Sequence, residues 1–277
     1  MEYGDKHILV LGAGASGIGA SWVLAQVGAH VVLNDYKPMT LPTAEEKRLV
    51  AAGVNIITGR QDESLLDGVD RIVISPGISL DIPIVKAAQA RGIDVVSEVE
   101  LAYEVSKSPI VAVTGTNGKT TTTTLLTKVL EGSGKPVRVG GNIGDSLSEV
   151  AYAMPADGFL VAELSSYQLE TIKHFRPIGA IMLNITPDHL ARHKTMENYI
   201  AAKERIFENQ LSTDYLVLNI DDPVVADMEH RAPSHILKIS QKKAVENGAY
   251  YADGQCYIAK DGIAKSVIGN EDIHIPG

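Results

Sequence analysis

The sequence predicts an α/β protein with two consecutive nucleotide-binding domains, and three observations lead to this prediction. Apolar runs typical of buried parallel strands alternate with helical stretches along most of the chain. Two of these runs end in glycine-rich turns that open helices, at residues 12–17 and 115–118. With 277 residues the chain is long enough for two domains of ordinary size. We therefore expect a Rossmann-like domain over residues 1–97 and a P-loop-type α/β domain with a small β-hairpin region over residues 98–277.

The predicted elements follow from short apolar runs bounded by turn residues. In the first domain we expect helices that end near residue 27 and that span residues 43–52 and 82–90. The predicted strands of that domain are residues 7–11, 31–33, 54–58, 71–75 and 94–96. A helix and connector over residues 98–108 lead to the strands of the second domain, predicted at residues 110–114, 137–139, 158–162, 180–184, 215–219 and 236–239. Asp253-Gly254, between alternating runs, predicts a hairpin with a type I′ turn.

Composition limits the classes of partner. The chain has 25 lysines and arginines against 34 aspartates and glutamates, a net charge of −9, which argues against a nucleic-acid partner because such partners favour a basic surface. Cys256 is the single cysteine, so no internal disulfide can form and a reducing compartment is expected. No apolar run approaches the length of a membrane span, and the first residues lead directly into a predicted strand, so we expect no signal peptide. We expect a soluble, cytoplasmic protein with no membrane contact, and a monomer.

The turn after residue 114 is typical of a loop that cradles phosphate. An apolar run leads into glycines, then into Lys119 and a run of threonines that continues as a helix. Backbone N–H groups of such a turn point at anionic oxygens, the lysine adds positive charge, and the Thr120 hydroxyl can bind Mg²⁺. Two residues separate Gly115 from Gly118, where the common motif has four, and an ordinary strand–turn–helix connection is the alternative. The candidate residues are Gly115, Thr116, Asn117, Gly118, Lys119, Thr120 and Thr121.

The first glycine motif, at residues 12–17, follows a strand and opens a helix. Asp35 lies at the end of the next strand, where it can bind a ribose hydroxyl. The motif alone fits a dinucleotide, and so an NAD-dependent oxidoreductase, or the diphosphate of another nucleotide, because both present the same anion. Residues 75–77 end another strand and either line the same crevice or form a plain turn.

Two polar residues of the second domain follow predicted strands. Glu163, after an apolar run, is placed to complete a Mg²⁺ shell or to be solvated. His189 follows the strand at residues 180–184 and is a candidate to bind a metal or an oxyanion, or to be structural.

Asn142, on a glycine-rich loop, is placed to donate a hydrogen bond to a substrate. The segment Asp221-Asp222-Pro223 follows another strand end and is expected to form a turn capped by an aspartate rather than a functional site.

Lys203 lies within the apolar stripe of a predicted helix. The stripe consists of Met196, Tyr199, Ile200, Ile206 and Phe207. An ammonium on such a face must extend to solvent, pair with an anion, or change its chemistry. Burial lowers the pKa of a lysine and favours the free amine, which is reactive. Lys203 is therefore either a reactive amine or a lysine that reaches solvent near the helix end.

Together these motifs resemble the Mur ligase family, the ATP-dependent amide ligases of peptidoglycan precursor assembly. The likeness rests on the loop at residues 115–121, the segments at 140–144 and 163–170, and the glycine motif at 12–17, and it covers essentially the whole chain. The family resemblance implies that a substrate carboxylate is activated by ATP as an acyl phosphate and then joined to an amine. The segments at 12–17, 140–144 and 163–170 resemble the member that adds D-glutamate, which implies UDP-N-acetylmuramoyl-L-alanine and D-glutamate as substrates. A sister ligase for another amino acid, or a non-catalytic nucleotide-binding module, is the alternative.

The resemblance also implies individual roles. Lys119 and Thr120 would hold ATP phosphates and Mg²⁺, and Glu163 would bind the first metal. His189 would serve a second metal with Lys203, which is carbamylated in this family, and Asn142 and His189 would contact the substrate; Lys119, His189 and Lys203 are thus the expected catalytic residues. The uridine nucleotide would contact the positions of Ala15, Ser16, Asp35, Tyr36, Lys37, Ser75, Pro76 and Gly77.

The chain departs from the family pattern at two places. Ligases of this family have a third domain that binds the incoming amino acid, and we expect this chain, which stops at Pro276-Gly277, to be an inactive two-domain fragment without it. An acidic residue is expected where Ala191 stands, which affects the hydrogen bonding expected around His189.

Overall fold

The first part of the chain alternates strand and helix as the sequence predicts. The computed structural model describes residues 3–273. The elements up to residue 105 are β1 (His7–Leu11), α1 (Ala15–Gln26), β2 (His30–Asp35), α2 (Thr43–Ala51), β3 (Asn55–Thr58), β4 (Arg71–Ile74), α3 (Pro83–Ala90), β5 (Asp94–Ser97) and α4 (Glu98–Val105), with a 3₁₀ turn at Glu63–Leu66. Predicted and observed bounds agree to within a few residues, because each strand is an apolar run that ends at a turn residue.

The five strands form one parallel sheet in the order β3-β2-β1-β4-β5. Alternate residues of β1 enter two separate apolar clusters: Ile8 and Val10 pack in one, and Leu9 and Leu11 in the other. Burial on both faces explains why β1 reads as a continuous apolar run. The strand order reverses between β1 and β4, and the glycine turn at residues 12–17 lies at the carboxyl end of β1, where sheets of this kind bind ligands.

The remaining elements continue the α/β pattern and end in antiparallel strands. They are β6 (Ile110–Thr114), α5 (Lys119–Glu131), β7 (Val137–Gly141), α6 (Leu147–Ala153), β8 (Phe159–Glu163), α7 (Ser166–Leu169), β9 (Gly179–Met182), α8 (Leu190–His193), α9 (Met196–Glu204), β10 (Tyr215–Asn219), α10 (Pro223–Asp227), β11 (His235–Ser240), β12 (Gly248–Ala252), β13 (Gln255–Lys260) and β14 (Ile263–Gly269). Short 3₁₀ turns lie at Arg205–Phe207, Met228–His230 and Asn270–Asp272.

The chain divides into two compact units. One consists of Met1–Ile110 with Thr123–Phe175, and the other of Val111–Thr122 with Arg176–Gly277. The first unit contains the five-stranded sheet and the parallel pair β7–β8. In the second unit the strand order is β14-β13-β12-β11-β10-β9-β6, parallel from β6 to β12. The predicted domain boundary between residues 97 and 98 stays a prediction.

The predicted hairpin is present, and a further strand extends it. Asp253 and Gly254 have φ values of 49° and 76°, which a type I′ turn requires at both central positions. The sequence analysis did not predict β14, which pairs antiparallel with β13. Six of its seven residues are exposed, so no alternating pattern marks it as a strand. The C-terminal Pro276-Gly277 lies outside the described residues. No helix within residues 3–273 has the length and apolar character needed to cross a membrane.

Candidate nucleotide and substrate sites

The glycine turn of the first unit is tightly packed. Gly12 has φ +96°, and a side chain at Gly17 would place its Cβ 1.8 Å from the carbonyl oxygen of Gly12. The Ser75 hydroxyl donates to the same carbonyl at 3.1 Å. Glycine is therefore needed at both positions, and Ser75 lies beside the turn as the crevice interpretation predicts.

Asp35 is tied to this turn through its side chain. One carboxylate oxygen accepts the N–H of Ala13 at 3.0 Å, and the other accepts the N–H of Lys37 at 2.9 Å. The carboxylate thus links the end of β2 to the glycine turn. A carboxylate oxygen has more than one lone pair, so these bonds leave acceptor capacity for a ribose hydroxyl. The nucleotide role of Asp35 stays a prediction.

A cavity of about 600 Å³ adjoins Asp35 and brings together several of the predicted uridine-nucleotide contacts. Asp35, Tyr36, Lys37 and Gly77 line it, together with Gln61 and apolar side chains. Tyr36 is 70% exposed, so its ring is open to a planar ligand. Four of the eight predicted contacts therefore share one cavity whose size suits a small-molecule ligand.

The other four predicted contacts do not line this cavity. Ser75 lies at Gly12 as described, and Pro76 is the next residue in the chain. Ala15 lines a second cavity of about 630 Å³, with Trp22 and Arg48. Ser16 lies in the first turn of α1, where its side chain hydrogen-bonds Glu98.

Asn142 and Glu163 form a pair in the first unit. The Asn142 amide donates to Oε1 of Glu163 at 2.8 Å, and the Asn142 N–H donates to the Glu163 carbonyl at 2.8 Å. Glu163 is 1% exposed, and its Oε2 has no hydrogen-bond partner among the described residues. A buried carboxylate oxygen in this state is costly unless a cation or donor reaches it, so Glu163 fits a metal-binding role better than the solvated one.

The second glycine turn has the expected strand–turn–helix form. Gly115 and Gly118 have φ values of +148° and +83°, and α5 begins at Lys119. Asn184 fixes the turn: its side-chain oxygen accepts the N–H of Asn117 at 2.8 Å, and its amide donates to the Asn117 carbonyl at 2.9 Å. Lys119 Nζ donates to the carbonyls of Gly115 and Thr116 at 3.1 and 2.9 Å. Its ammonium therefore lies at the loop that it is predicted to serve.

Lys203 is buried beside this loop. It is 2% exposed, and its Nζ lies 2.8 Å from the Gly115 carbonyl oxygen and 3.4 Å from the Thr114 hydroxyl. Burial and, to a smaller extent, the nearby Lys119 ammonium lower the pKa of Lys203 to about 7, against the opposing effect of the Asp188 carboxylate. The interpretation in which Lys203 reaches solvent is therefore wrong, and a substantial share of the amine is neutral near pH 7.

His189 lies at the start of α8 in the left-handed region, with φ 53°. Its side chain is 46% exposed, and its Nε2 is 3.4 Å from an Asp188 carboxylate oxygen. The rings of His189 and Tyr199 are 6.5 Å apart, and Lys203 Nζ lies 4.9 Å from the centre of the Tyr199 ring. His189 and Lys203 therefore share Tyr199 as a neighbour, while their metal roles stay predictions.

The sequence analysis missed two residues of this site. Tyr199 appeared there as part of an apolar stripe, but its hydroxyl lies 3.0 Å from the Thr116 hydroxyl of the loop. Asn184 appeared as the end of a strand, but β9 ends at Met182 and the Asn184 side chain holds the loop. A polar atom on a buried stripe, and an asparagine after a strand, are the signals that could have found them.

Within residues 3–273 there is no group of three or more His, Cys, Asp or Glu side chains that could hold a metal. Any metal would therefore need other ligands as well, such as a hydroxyl, a phosphate or a modified side chain. The Thr120 hydroxyl in the first turn of α5 and the Glu163 carboxylate have the oxygen chemistry that Mg²⁺ prefers.

The two glycine turns, each between a parallel strand and a helix, have the arrangement with which many α/β proteins bind phosphate groups. The chain belongs to the Mur ligase family. Residues 113–276 match the model of the Mur ligase middle domain, and residues 6–97 match that of the Mur ligase MurD-like N-terminal domain.

Several curated relatives share one name. The UDP-N-acetylmuramoylalanine–D-glutamate ligases of Thermoanaerobacter sp. (strain X514) and Caldanaerobacter subterraneus subsp. tengcongensis are 46% and 47% identical over 277 residues. That of Halalkalibacterium halodurans is 43% identical over 276 residues. The matches cover 100% of this chain and 60–61% of each relative, so the chain spans about 60% of the length of these relatives.

Solved structures agree on the fold. A UDP-N-acetylmuramate:L-alanyl-γ-D-glutamyl-meso-diaminopimelate ligase from Neisseria meningitides superposes with a TM-score of 0.61 at 23% identity, over 94% of this chain and 86% of that one. A murein peptide ligase from Psychrobacter arcticus gives a TM-score of 0.58 at 20% identity, over 95% of this chain and 60% of that one.

Proposed function

We propose that this chain belongs to an ATP-dependent ligase that joins D-glutamate to UDP-N-acetylmuramoyl-L-alanine. The buried Lys203 amine, 2.8 Å from the Gly115 carbonyl of the phosphate loop, is the observation that carries the proposal. A phosphate loop needs one lysine, and Lys119 supplies it. A second, buried amine therefore needs another role, and a ligase that brings several anions and metal ions together would provide that role. The names of the relatives support the choice of substrates.

The proposed reaction has two steps. The L-alanyl carboxylate attacks the γ-phosphorus of ATP, so that ADP leaves and an acyl phosphate forms. The amine of D-glutamate then attacks the acyl carbon, phosphate leaves, and an amide results. Charge neutralisation and positioning account for most of the catalysis of such transfers.

The side chains of this chain would serve the first step through charge. The Lys119 ammonium, now on two carbonyls of its own loop, would bind the transferred phosphoryl group. The Thr120 hydroxyl would bind Mg²⁺, which neutralises phosphate charge when bound, and the Glu163 carboxylate is a separate candidate magnesium ligand. The unpartnered Oε2 of Glu163 supports this assignment.

Lys203 would act as a carbamate. Its neutral amine attacks CO₂, the new N–C bond forms, and one proton is released. The product is a carboxylate-like anion that would bind a second metal together with His189. The lowered pKa of Lys203 favours this reaction, because only the free amine is a nucleophile.

Calorimetry tests the substrate. UDP-N-acetylmuramoyl-L-alanine should bind in preference to the same sugar nucleotide without alanine and to the one that already carries glutamate. Preference for either of these would indicate a sister ligase. Binding of NAD(H) with no binding of the sugar nucleotide would overturn the proposal in favour of an oxidoreductase.

Intact mass spectrometry tests the modification. Under mild conditions at alkaline pH with bicarbonate, the wild-type protein should carry the added mass of CO₂, and Lys203→Met should not. An exposed lysine variant, Lys128→Met, is the matched control and should retain the added mass. Equal spectra for wild type and Lys203→Met would refute the carbamate.

A further inference from the structure

A buried carboxylate outside the sites described so far joins two segments of the predicted substrate site. Glu98 lies in the first turn of α4 and is 1% exposed. Its Oε1 accepts the Ser146 hydroxyl at 2.5 Å, and the N–H and hydroxyl of Ser148, each at 2.9 Å. It also hydrogen-bonds the side chain of Ser16 in α1. The Glu98 carboxylate thus connects α1 with the start of α6.

These bonds replace the cap that α6 lacks within its own sequence. Ser146 is the N-cap residue of α6 but makes no side-chain cap bond there. Glu98, from another helix, accepts the Ser148 N–H that such a cap would satisfy. The position where α6 begins therefore depends on Glu98.

The approach of α1 to this point requires a glycine. A Cβ on Gly19 of α1 would lie 2.1 Å from the Ser146 hydroxyl and 2.4 Å from the Ser146 Cβ. Both distances are far below van der Waals contact, so any larger residue at position 19 must displace Ser146. Ser146 therefore packs against Gly19 on one side and hydrogen-bonds Glu98 on the other.

The segment fixed in this way carries Asn142. The loop from Gly141 to Ser146 leaves β7 and enters α6, and the Gly141 N–H donates to the Asp145 carbonyl at 3.4 Å. Asn142 is anchored at the other end of this loop by its two bonds to Glu163. A shift of Ser146 would therefore pass along a loop of only three intervening residues to Asn142.

We propose that Glu98 is a positioning residue, which sets Asn142 for the sugar end of the ligand by locking the loop 142–146 to the first turn of α1. This inference rests on the proposed function, since it assumes that Asn142 contacts the muramoyl part of the substrate. The cavity at Asp35 and Tyr36 lies elsewhere in the first unit and shares no lining residue with these contacts. Ser16 is itself a predicted uridine-nucleotide contact, so loss of Glu98 should weaken binding of the nucleotide somewhat through Ser16 and binding of the sugar end further through Asn142.

The experiment compares the affinities of two ligands, UDP and UDP-N-acetylmuramoyl-L-alanine, by calorimetry. In Glu98→Leu, which keeps side-chain bulk but loses the acceptor, affinity for the sugar nucleotide should fall about tenfold more than affinity for UDP. Glu98→Gln should restore wild-type binding, because its amide oxygen can accept the same three bonds. The ratio of the two affinities is unaffected by a general loss of folded protein.

Glu100 provides the matched control on the same helix. It is also buried, and its carboxylate accepts the backbone N–H groups of Lys173, His174 and Phe175 at 2.7, 2.8 and 3.0 Å. Glu100→Leu should lower stability but leave the ratio of the two affinities as in the wild type. An equal change of the ratio in Glu98→Leu and Glu100→Leu would reduce Glu98 to a structural role and overturn the proposal.

A second variant and a ligand-free measurement cover the remaining cases. Gly19→Ala keeps Glu98 and improves helix propensity, yet it should shift the affinity ratio in the same direction.

Hydrogen exchange of the peptide at residues 140–146 should accelerate in Glu98→Leu and Gly19→Ala but not in Glu98→Gln. Unchanged exchange rates in Glu98→Leu and Gly19→Ala would refute the claim that Glu98 holds the loop 142–146. If the wild type binds neither ligand, the proposed function fails, and the exchange rates alone decide whether Glu98 holds the loop.

Discussion

Replacing Lys203 by methionine should change how stability depends on pH. Methionine has a similar length and fills the same apolar site, but it has no charge to bury. The pKa of Lys203 is lowered from its ordinary value of 10.5 to about 7. Between these two values the unfolded chain binds a proton that the folded chain does not. Stability of the wild type therefore rises with pH across this window relative to Lys203→Met.

The size of the effect follows from the shift. Each pH unit inside the window contributes about 1.4 kcal/mol, and less near the folded pKa, where the amine is half protonated. Between about pH 7 and about pH 9 the difference in unfolding free energy between wild type and variant should change by about 2 kcal/mol. Below the folded pKa the difference should level off, because the lysine is then protonated in both states.

Urea unfolding at closely spaced pH values measures this difference. Buffers must be free of CO₂, so that only proton binding contributes. Lys128→Met removes a charge from the exposed face of α5 without emptying a buried site, and it is the control. A pH-independent difference between wild type and Lys203→Met would refute the account of a buried amine with a lowered pKa. Added bicarbonate should stabilise the wild type further and leave Lys203→Met unchanged.

Three further substitutions test the loops and caps. Gly17→Ala should destabilise the protein by about 1–3 kcal/mol in urea unfolding, because the new Cβ would overlap the Gly12 carbonyl oxygen. A variant as stable as the wild type would disprove this close packing. Asp222→Ala should cost about 1–2 kcal/mol in the same assay, since it removes the cap of α10 and the acceptor of the Ile185 N–H; no loss would contradict the capping role. Lys119→Ala should weaken binding of a non-hydrolysable ATP analogue by about 2–3 kcal/mol, measured by calorimetry with Lys128→Ala as control, and equal affinities would argue against a phosphate role.

Sequence reasoning located the features that rest on local patterns. The apolar run of β1 followed by a glycine turn, and that of β6 followed by glycines and a lysine, were enough to predict both turns and the α/β class. Lys203 stood out because a charge on an apolar stripe must be explained, and the structure confirms its burial. The aspartate cap expected at Asp221-Asp222-Pro223 is present: Asp222 caps α10, a helix that the sequence analysis had expected only as a turn.

Features that depend on distant partners were not predictable. The contact between Tyr199 and Thr116 joins residues 83 positions apart; the hydroxyl on an apolar stripe marks Tyr199, but nothing in either local sequence indicates its partner. Glu98 and Glu100 read as two polar residues of one helix, although each is buried and satisfies backbone groups far along the chain. The exposed strand β14 lacks the alternating burial that predicts strands, because its position is set by pairing with β13.

The two-way amide clamp between Asn184 and Asn117 has a thermodynamic consequence. A turn that is already held by fixed neighbours has little disorder to lose when an anion arrives. The entropic cost of ordering the turn therefore falls on the folding of the chain and not on the binding of the anion. Weakening the clamp would leave the chemical groups of the turn intact, yet each encounter would then have to restore the order that Asn184 maintains in advance.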